Sequence, residues 1–180
     1  MMRKTHFSVL CFGLALTLMI AGCGGDDQGQ ARSSDHTAMT NVGQSAQLVA
    51  TDLQGNPHQL NKWLGKQPTV VNFWGTWCAP CRMEIPHMVE IYNEYKDNGI
   101  EMISLAVERG SVDHVGSFAS EHNMNWVMLV GNQQLMEFFN ATRGIPTTIF
   151  FDADGNEVER FIGARGYADF KRAFEKALRS

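Results

Sequence analysis

Hydrophobic positions along the chain fall into blocks of distinct period. Phe7 to Ala21 is an unbroken apolar run preceded by Arg3 and Lys4. Gly24 to about Asn41 has almost no apolar residues and is rich in Gly, Asp, Gln, Ser and Thr. From about Val42 the alternation typical of a folded domain begins. Val70-Val71-Asn72-Phe73-Trp74 is short, apolar and β-branched, and predicts a buried strand. A helix is expected from near Cys78 to about Asn98, with Gly99 as its left-handed stop. Glu101–Ala106 predicts the next strand. Ser111 can cap a helix running to about His122, with Val115, Phe118 and Ala119 on one face. Trp126–Val130 predicts a strand and Gln134–Asn140 a short helix. Thr147–Phe151 and Glu157–Ile162 predict two strands joined by the turn Asp152-Ala153-Asp154-Gly155. Phe170, Ala173, Phe174, Ala177 and Leu178 recur at i, i+3, i+4, i+7 and i+8, the core face of a last helix. Ala46–Asp52 and Pro57–Leu60 suggest an N-terminal hairpin. The expected order β-α-β-α-β-α-β-β-α implies an α/β fold, a mixed sheet with helices on both faces.

The apolar run also changes the picture of compartment. A positive stretch followed by about 15 apolar residues fits a secretory signal and is short for a spanning helix. An uncleaved anchor helix is the other reading of the same run. Ile20-Ala21-Gly22-Cys23 resembles the lipobox of bacterial lipoproteins. That resemblance implies residues 1–22 as signal peptide, a lipid on the Cys23 sulfur, and residues 23–41 as a flexible tether. Residues 42–180 would be the folded domain, placed outside the cytoplasm and tethered to a membrane. Gly24 follows Cys23, so the Asp that retains lipoproteins in the inner membrane is absent there, which favours the outer membrane.

Composition narrows the classes further. The chain has 180 residues, 44% hydrophobic and 19% charged, with a net charge of −4. Loss of Arg3 and Lys4 with the leader leaves 13 basic and 19 acidic residues, a net of −6. An acidic chain lacks the basic footprint of a nucleic-acid binder. Cys11 would leave with the leader and Cys23 would carry lipid, so Cys78 and Cys81 remain as thiols.

Trp77-Cys78-Ala79-Pro80-Cys81 lies where a buried strand passes into a helix. Unpaired backbone N–H groups and the helix dipole favour negative charge there, so Cys78 is placed to be a thiolate. Cys81, one turn along, can reach the Cys78 sulfur, and Pro80 suits the first turn, where its missing N–H has no partner. Competing readings are weaker. Zinc needs four ligands, and His87 would supply a third at most. A c-type haem needs His where Arg82 stands. A structural bridge closing so small a loop stabilises little. Asn140-Ala141-Thr142 fits a glycosylation pattern but is coincidental in a bacterial lipoprotein.

Asn72 to Pro86, running through Trp77-Cys78-Ala79-Pro80-Cys81, closely resembles the active-site stretch of thioredoxin-fold proteins. The branch it resembles is that of membrane-tethered TlpA-like and ResA-like thiol–disulfide oxidoreductases. Gly144-Ile145-Pro146-Thr147-Thr148 resembles their cis-proline segment. The resemblance spans roughly Val42 to Ser180 and implies a thioredoxin-like fold. It implies that Cys78 attacks, Cys81 resolves, and Pro146 is a cis-proline facing the pair. The Ile145 backbone would pair with an extended substrate, and Trp77 and Pro80 would belong to the contact surface. Glu84 matches an acid that ResA-like members hold near the cysteines; the plain alternative is a solvated helix residue. Asn72 stands where cytoplasmic thioredoxins carry a buried acid.

Implied partners are extracytoplasmic disulfide-containing proteins, apocytochrome c among them, and a membrane thiol electron donor. No metal or organic cofactor is called for beyond the Cys78–Cys81 disulfide itself. Reduction is the favoured direction, because a general oxidase of this fold usually carries a larger helical insertion. Two alternatives use the same cysteines. A copper metallochaperone would hold Cu(I) on the thiolates, but related carriers space the cysteines by three residues and add a placed His. A thiol peroxidase would need a Pro-x-x-x-Thr-x-x-Cys pattern, which does not precede the pair.

Overall fold

The computed structural model describes residues 48–180. The proposed signal peptide, Cys23, the whole tether of residues 23–41 and residues 42–47 lie outside the described residues. The elements are β1 (Val49–Asp52), β2 (Pro57–Gln59), β3 (Thr69–Trp74), α1 (Ala79–Tyr95), β4 (Glu101–Ala106), α2 (Val115–Glu121) and β5 (Val127–Val130). After these come α3 (Gln133–Phe138), β6 (Thr147–Phe151), β7 (Glu157–Ile162) and α4 (Tyr167–Arg179). The strands form one seven-stranded sheet in the order β2-β1-β5-β4-β3-β6-β7. β3, β4 and β5 run parallel, and the other neighbouring pairs are antiparallel. The sheet is mixed, as the alternation of elements implied.

Side chains alternate across a strand, and the central strands sort accordingly. Val70 and Trp74 of β3, Met102 and Ala106 of β4 and Phe150 of β6 join one apolar cluster with residues of α1, α2 and α4. Val71, Phe73, Ile103, Leu105, Ile149 and Phe151 join the other, with Trp63, Leu64 and residues of α3. All six residues of β3 are buried, which explains a strand apolar on both faces. Helices do cover both sides of the sheet.

Several boundaries differ from expectation, each for a local reason. α1 ends at Tyr95 and tightens into a 3₁₀ turn over Lys96–Asn98 before Gly99, whose φ of 86° provides the left-handed exit. Pro86 lies inside α1 on its exposed side. Ser111 does not cap α2: its Oγ accepts from Asp113 N in a turn, and the helix starts at Val115. Trp126 precedes β5 and is buried, with its indole N–H bonded to Ser104 Oγ. α3 starts earlier than expected because Asn132 Oδ1 accepts from Leu135 N as its N-cap. The β6–β7 turn is built on Asp152, whose Oδ1 accepts from the N–H groups of Asp154 and Asn156.

Candidate active site

β3 delivers the chain to the site through a tight approach. A Cβ on Gly75 would lie 2.8 Å from Trp77 Nε1 and 3.0 Å from the Val107 carbonyl oxygen. Glycine therefore lets the Trp77 indole donate to Val107 O at 3.0 Å. Cys78 then serves as the N-cap of α1, its sulfur accepting from Cys81 N at 3.3 Å. Pro80 sits in the first turn, as expected. Cys78 and Cys81 are joined in a disulfide.

The two sulfurs are unequal. Cys78 is 4% exposed and Cys81 is fully buried, so only the first offers an approach from outside. Its surroundings are accessible: Trp77 is 43% exposed, Met83 is 72% exposed, and Ala79 and Pro80 are on the surface. The Ile145–Pro146 bond is cis, as the resemblance implied. Ile145 O lies 3.7 Å from Cys78 Sγ, so this segment does face the pair. Trp74, by contrast, is a core residue whose ring lies tilted against Phe118.

Glu84 is 2% exposed, which removes the reading of it as a solvated helix residue. It is three residues past Cys81, one turn along the same buried side of α1. Below it lies a row of polar side chains that are cross-strand neighbours: Ser104 on β4, Asn72 on β3 and Thr148 on β6. Trp126 Nε1 donates to Ser104 Oγ at 2.8 Å, and Ser104 donates to Asn72 Oδ1 at 3.3 Å. The Asn72 amide then donates to Glu84 Oε1 at 3.3 Å and to Thr148 Oγ1 at 3.0 Å. Burial pushes the Glu84 carboxyl up to about 8, against the opposing pull of the Arg165 backbone N–H, the Asn72 amide and the Arg165 charge. Arg165 folds back onto the carbonyls of Ile162, Gly163 and Ala164, which shapes the β7–α4 connection beside Glu84.

Sequence reasoning did not single out Thr76, Glu108, Arg109 or His114. Glu108 accepts from Thr76 N at 2.7 Å and from Thr76 Oγ1 at 3.0 Å, and His114 Nε2 lies 2.9 Å from the same hydroxyl. The Arg109 guanidinium stacks 3.7 Å from the Trp77 ring centre. A signal for the first contact did exist. β3 and β4 pair with an offset of 32 residues, and Thr76 and Glu108 continue that register beyond both strand ends. Among the described residues, no group of three or more His, Cys, Asp or Glu side chains is arranged to hold a metal ion.

A buried strand, a disulfide at the helix tip and a cis-proline opposite it are now joined by comparison with known proteins. Residues 42–159 match the model of the AhpC/TSA family. The chain belongs to the AhpC/TSA family. Among curated proteins, it is 31% identical over 154 residues to the thiol–disulfide oxidoreductase ResA of Bacillus thuringiensis, covering 86% of this chain and 88% of that one. ResA of Geobacillus kaustophilus is 32% identical over 143 residues, 79% of this chain and 80% of that protein. A crystal structure of a thioredoxin-family thiol:disulfide interchange protein from Chlorobium tepidum superposes with a TM-score of 0.63 at 30% identity. It covers 72% of this chain and 92% of the other. The fold is thioredoxin-like and the protein is a thiol–disulfide oxidoreductase.

Proposed function

We propose that the protein reduces disulfides of extracytoplasmic proteins, with Cys78 as the attacking sulfur and Cys81 as the resolving one. The observation that carries this reading is the asymmetry of the pair. Cys78 caps α1 and keeps a 4% exposed edge beside the exposed Trp77, while Cys81 is fully buried one turn from a buried acid. A Cys78 thiolate attacks a substrate sulfur, forming a mixed disulfide and releasing the first substrate thiolate. The Cys81 thiol then gives its proton to the Glu84 carboxylate and attacks Cys78 Sγ, releasing the second thiolate. The pair ends oxidised by two electrons and the substrate reduced by two. Glu84 suits this transfer because its raised pKa of about 8 lies near that of an ordinary thiol. In the closed disulfide, a protonated Glu84 is the product the step leaves behind.

Ile145 and the cis-Pro146 would hold an extended substrate segment against Cys78, with Trp77 and Pro80 as contact surface. A membrane dithiol protein returns the electrons, and apocytochrome c is among the proposed substrates. No metal or organic cofactor enters the cycle. The leader, lipid on Cys23 and tether of residues 23–41 would fix the domain to the outer face of a membrane, the outer membrane being favoured by Gly24.

Trapping tests the reading. A Cys81→Ala variant accumulates mixed disulfides through Cys78, and the captured proteins name the substrates. Equilibration with glutathione buffers is expected to give a potential below about −200 mV, away from the value near −120 mV of a strong oxidant. A strongly oxidising potential would remove the reductant assignment. Copper retained stoichiometrically by the reduced protein would replace it with the metallochaperone reading.

A further inference from the structure

Among the described residues Lys62, Lys66 and Lys96 form no ion pair and lie on other segments, while the arginines divide into two groups. Arg160 pairs with Glu157 at 2.6 Å, Arg172 with Asp169 at 2.6 Å, and Arg179 with Glu175 at 3.5 Å. Arg165 is spent on three backbone carbonyls. The remaining arginines, Arg82, Arg109 and Arg143, have no carboxylate partner among the described residues, and all three are exposed. All three stand on segments that border the disulfide. Arg82 follows Cys81, Arg109 lies on Trp77, and Arg143 is two residues before Ile145, whose carbonyl meets Cys78. Of the acids on the same segments, Glu84 is buried and Glu108 is bonded to Thr76, while Asp113 forms no ion pair with them.

Two of these guanidinium groups are also held in place. Arg109 is stacked 3.7 Å from the Trp77 ring centre, and Arg82 lies 5.7 Å from that of Phe118. A guanidinium resting on an aromatic face keeps its N–H edges free, and those edges match a carboxylate bidentately. The chain as a whole carries −4, so this rim has the opposite sign to the rest of the molecule. Such a contrast steers and orients an oppositely charged partner.

Resting on the reading of Cys78 as the attacking sulfur, we propose that Arg82, Arg109 and Arg143 form a selectivity rim for protein segments with acidic residues flanking the target cystine. The apolar surface of Trp77, Pro80 and Met83 would take the body of that segment, and the arginines would take its carboxylates.

The test uses the reduced full-length protein and two disulfide-bridged peptides that share one core and differ in flanks, aspartates in one and lysines in the other. At low ionic strength the aspartate peptide is expected to be reduced roughly tenfold faster or more. At about 1 M salt, where the screening length is about 3 Å, the ratio should fall toward one. An Arg82→Gln, Arg109→Gln, Arg143→Gln triple variant should lose the preference at low salt as well. Arg143→Glu alone, on an exposed side chain, should lower the ratio by about threefold, and it keeps the test open if the triple variant folds poorly. A wild-type ratio near one would overturn the proposal. So would a triple variant that slows both peptides alike and keeps their ratio, because the arginines would then be tuning the thiol. Failure of the wild type to reduce the uncharged bis(2-hydroxyethyl) disulfide would instead fault the assignment of Cys78.

Discussion

The two faces of the central sheet are built from the same strands but differ in kind. On one face Val71, Phe73, Ile103, Leu105, Ile149 and Phe151 pack together, and the buried hydroxyls of Thr69 and Thr147 lie at strand ends, each bonded to a nearby backbone carbonyl. On the other, Val70, Trp74, Met102, Ala106 and Phe150 are interrupted in mid-strand by Asn72, Ser104 and Thr148. The interruption lies under Glu84, one turn behind Cys81. A buried polar row is costly unless every member is bonded, and here Trp126, Ser104, Asn72, Thr148 and Glu84 are linked in one network. The first face supplies stability, and the second gives up some of it to keep an acid beside a resolving thiol.

That division can be broken first from the apolar side. Phe73 is fully buried against Phe139, with ring centres 5.7 Å apart. Phe73→Ala is expected to cost about 3–5 kcal/mol in urea unfolding, while the folded fraction keeps its redox potential. A variant that unfolds no more easily but shifts the potential would erase the distinction between the faces.

The next largest effect is on the polar side and depends on pH. Burial raises the Glu84 carboxyl from 4.5 to about 8. The unfolded chain releases this proton near pH 4.5 and the folded one near pH 8, so the folded state binds more protons between those values. Stability relative to a Glu84→Gln variant therefore falls as pH rises through that window and levels off above it, by up to ~5 kcal/mol. Denaturant midpoints of both proteins from pH 4 to pH 9 check this. Parallel curves would mean that Glu84 is not held protonated. The same substitution should slow release of substrate from the mixed disulfide by roughly a hundredfold, the lower range of general acid–base effects.

Asn72→Ala sharpens the comparison at lower cost. It leaves Ser104 without its acceptor and Glu84 without its amide donor, so a loss of about 1–3 kcal/mol is expected. It should also move the Glu84 midpoint further up, since the Asn72 amide favours the ionised form. Infrared titration of the carboxyl band would report the shift, and a downward shift would contradict the network. The smallest effect belongs to the approach loop. Gly75→Ala forces the Trp77 indole off the Val107 carbonyl, costing about 1 kcal/mol and altering tryptophan emission. Unchanged emission would show that the loop absorbs the methyl group.

Much of this was legible in the amino-acid sequence, and the remainder was hidden for identifiable reasons. Strands such as Glu101–Ala106 and Glu157–Ile162 match their observed bounds, because short apolar or alternating runs bounded by turn residues have few other solutions. The Cys78-Ala79-Pro80-Cys81 step is visible for the same reason: its chemistry is local to one helix end. Helix starts were harder. Ser111 looked like a cap for α2 but closes a turn, because side chains that cap helices bond equally well to turn backbone. The polar row was the least legible. Asn72, Ser104 and Thr148 lie 32 and 44 residues apart in the chain and meet only once strand register is known. Glu84 shows the limit most clearly: whether it faced water or the core depended on which side of α1 met the sheet.

The measurement that tests the central claim most directly is the alkylation rate of each cysteine in the reduced protein as a function of pH, read by mass spectrometry. The asymmetric pair predicts that Cys78 reacts first, with a midpoint below the ~8.5 of a free thiol, and that buried Cys81 lags at every pH. Equal rates at both sulfurs, each with a free-thiol midpoint, would contradict it.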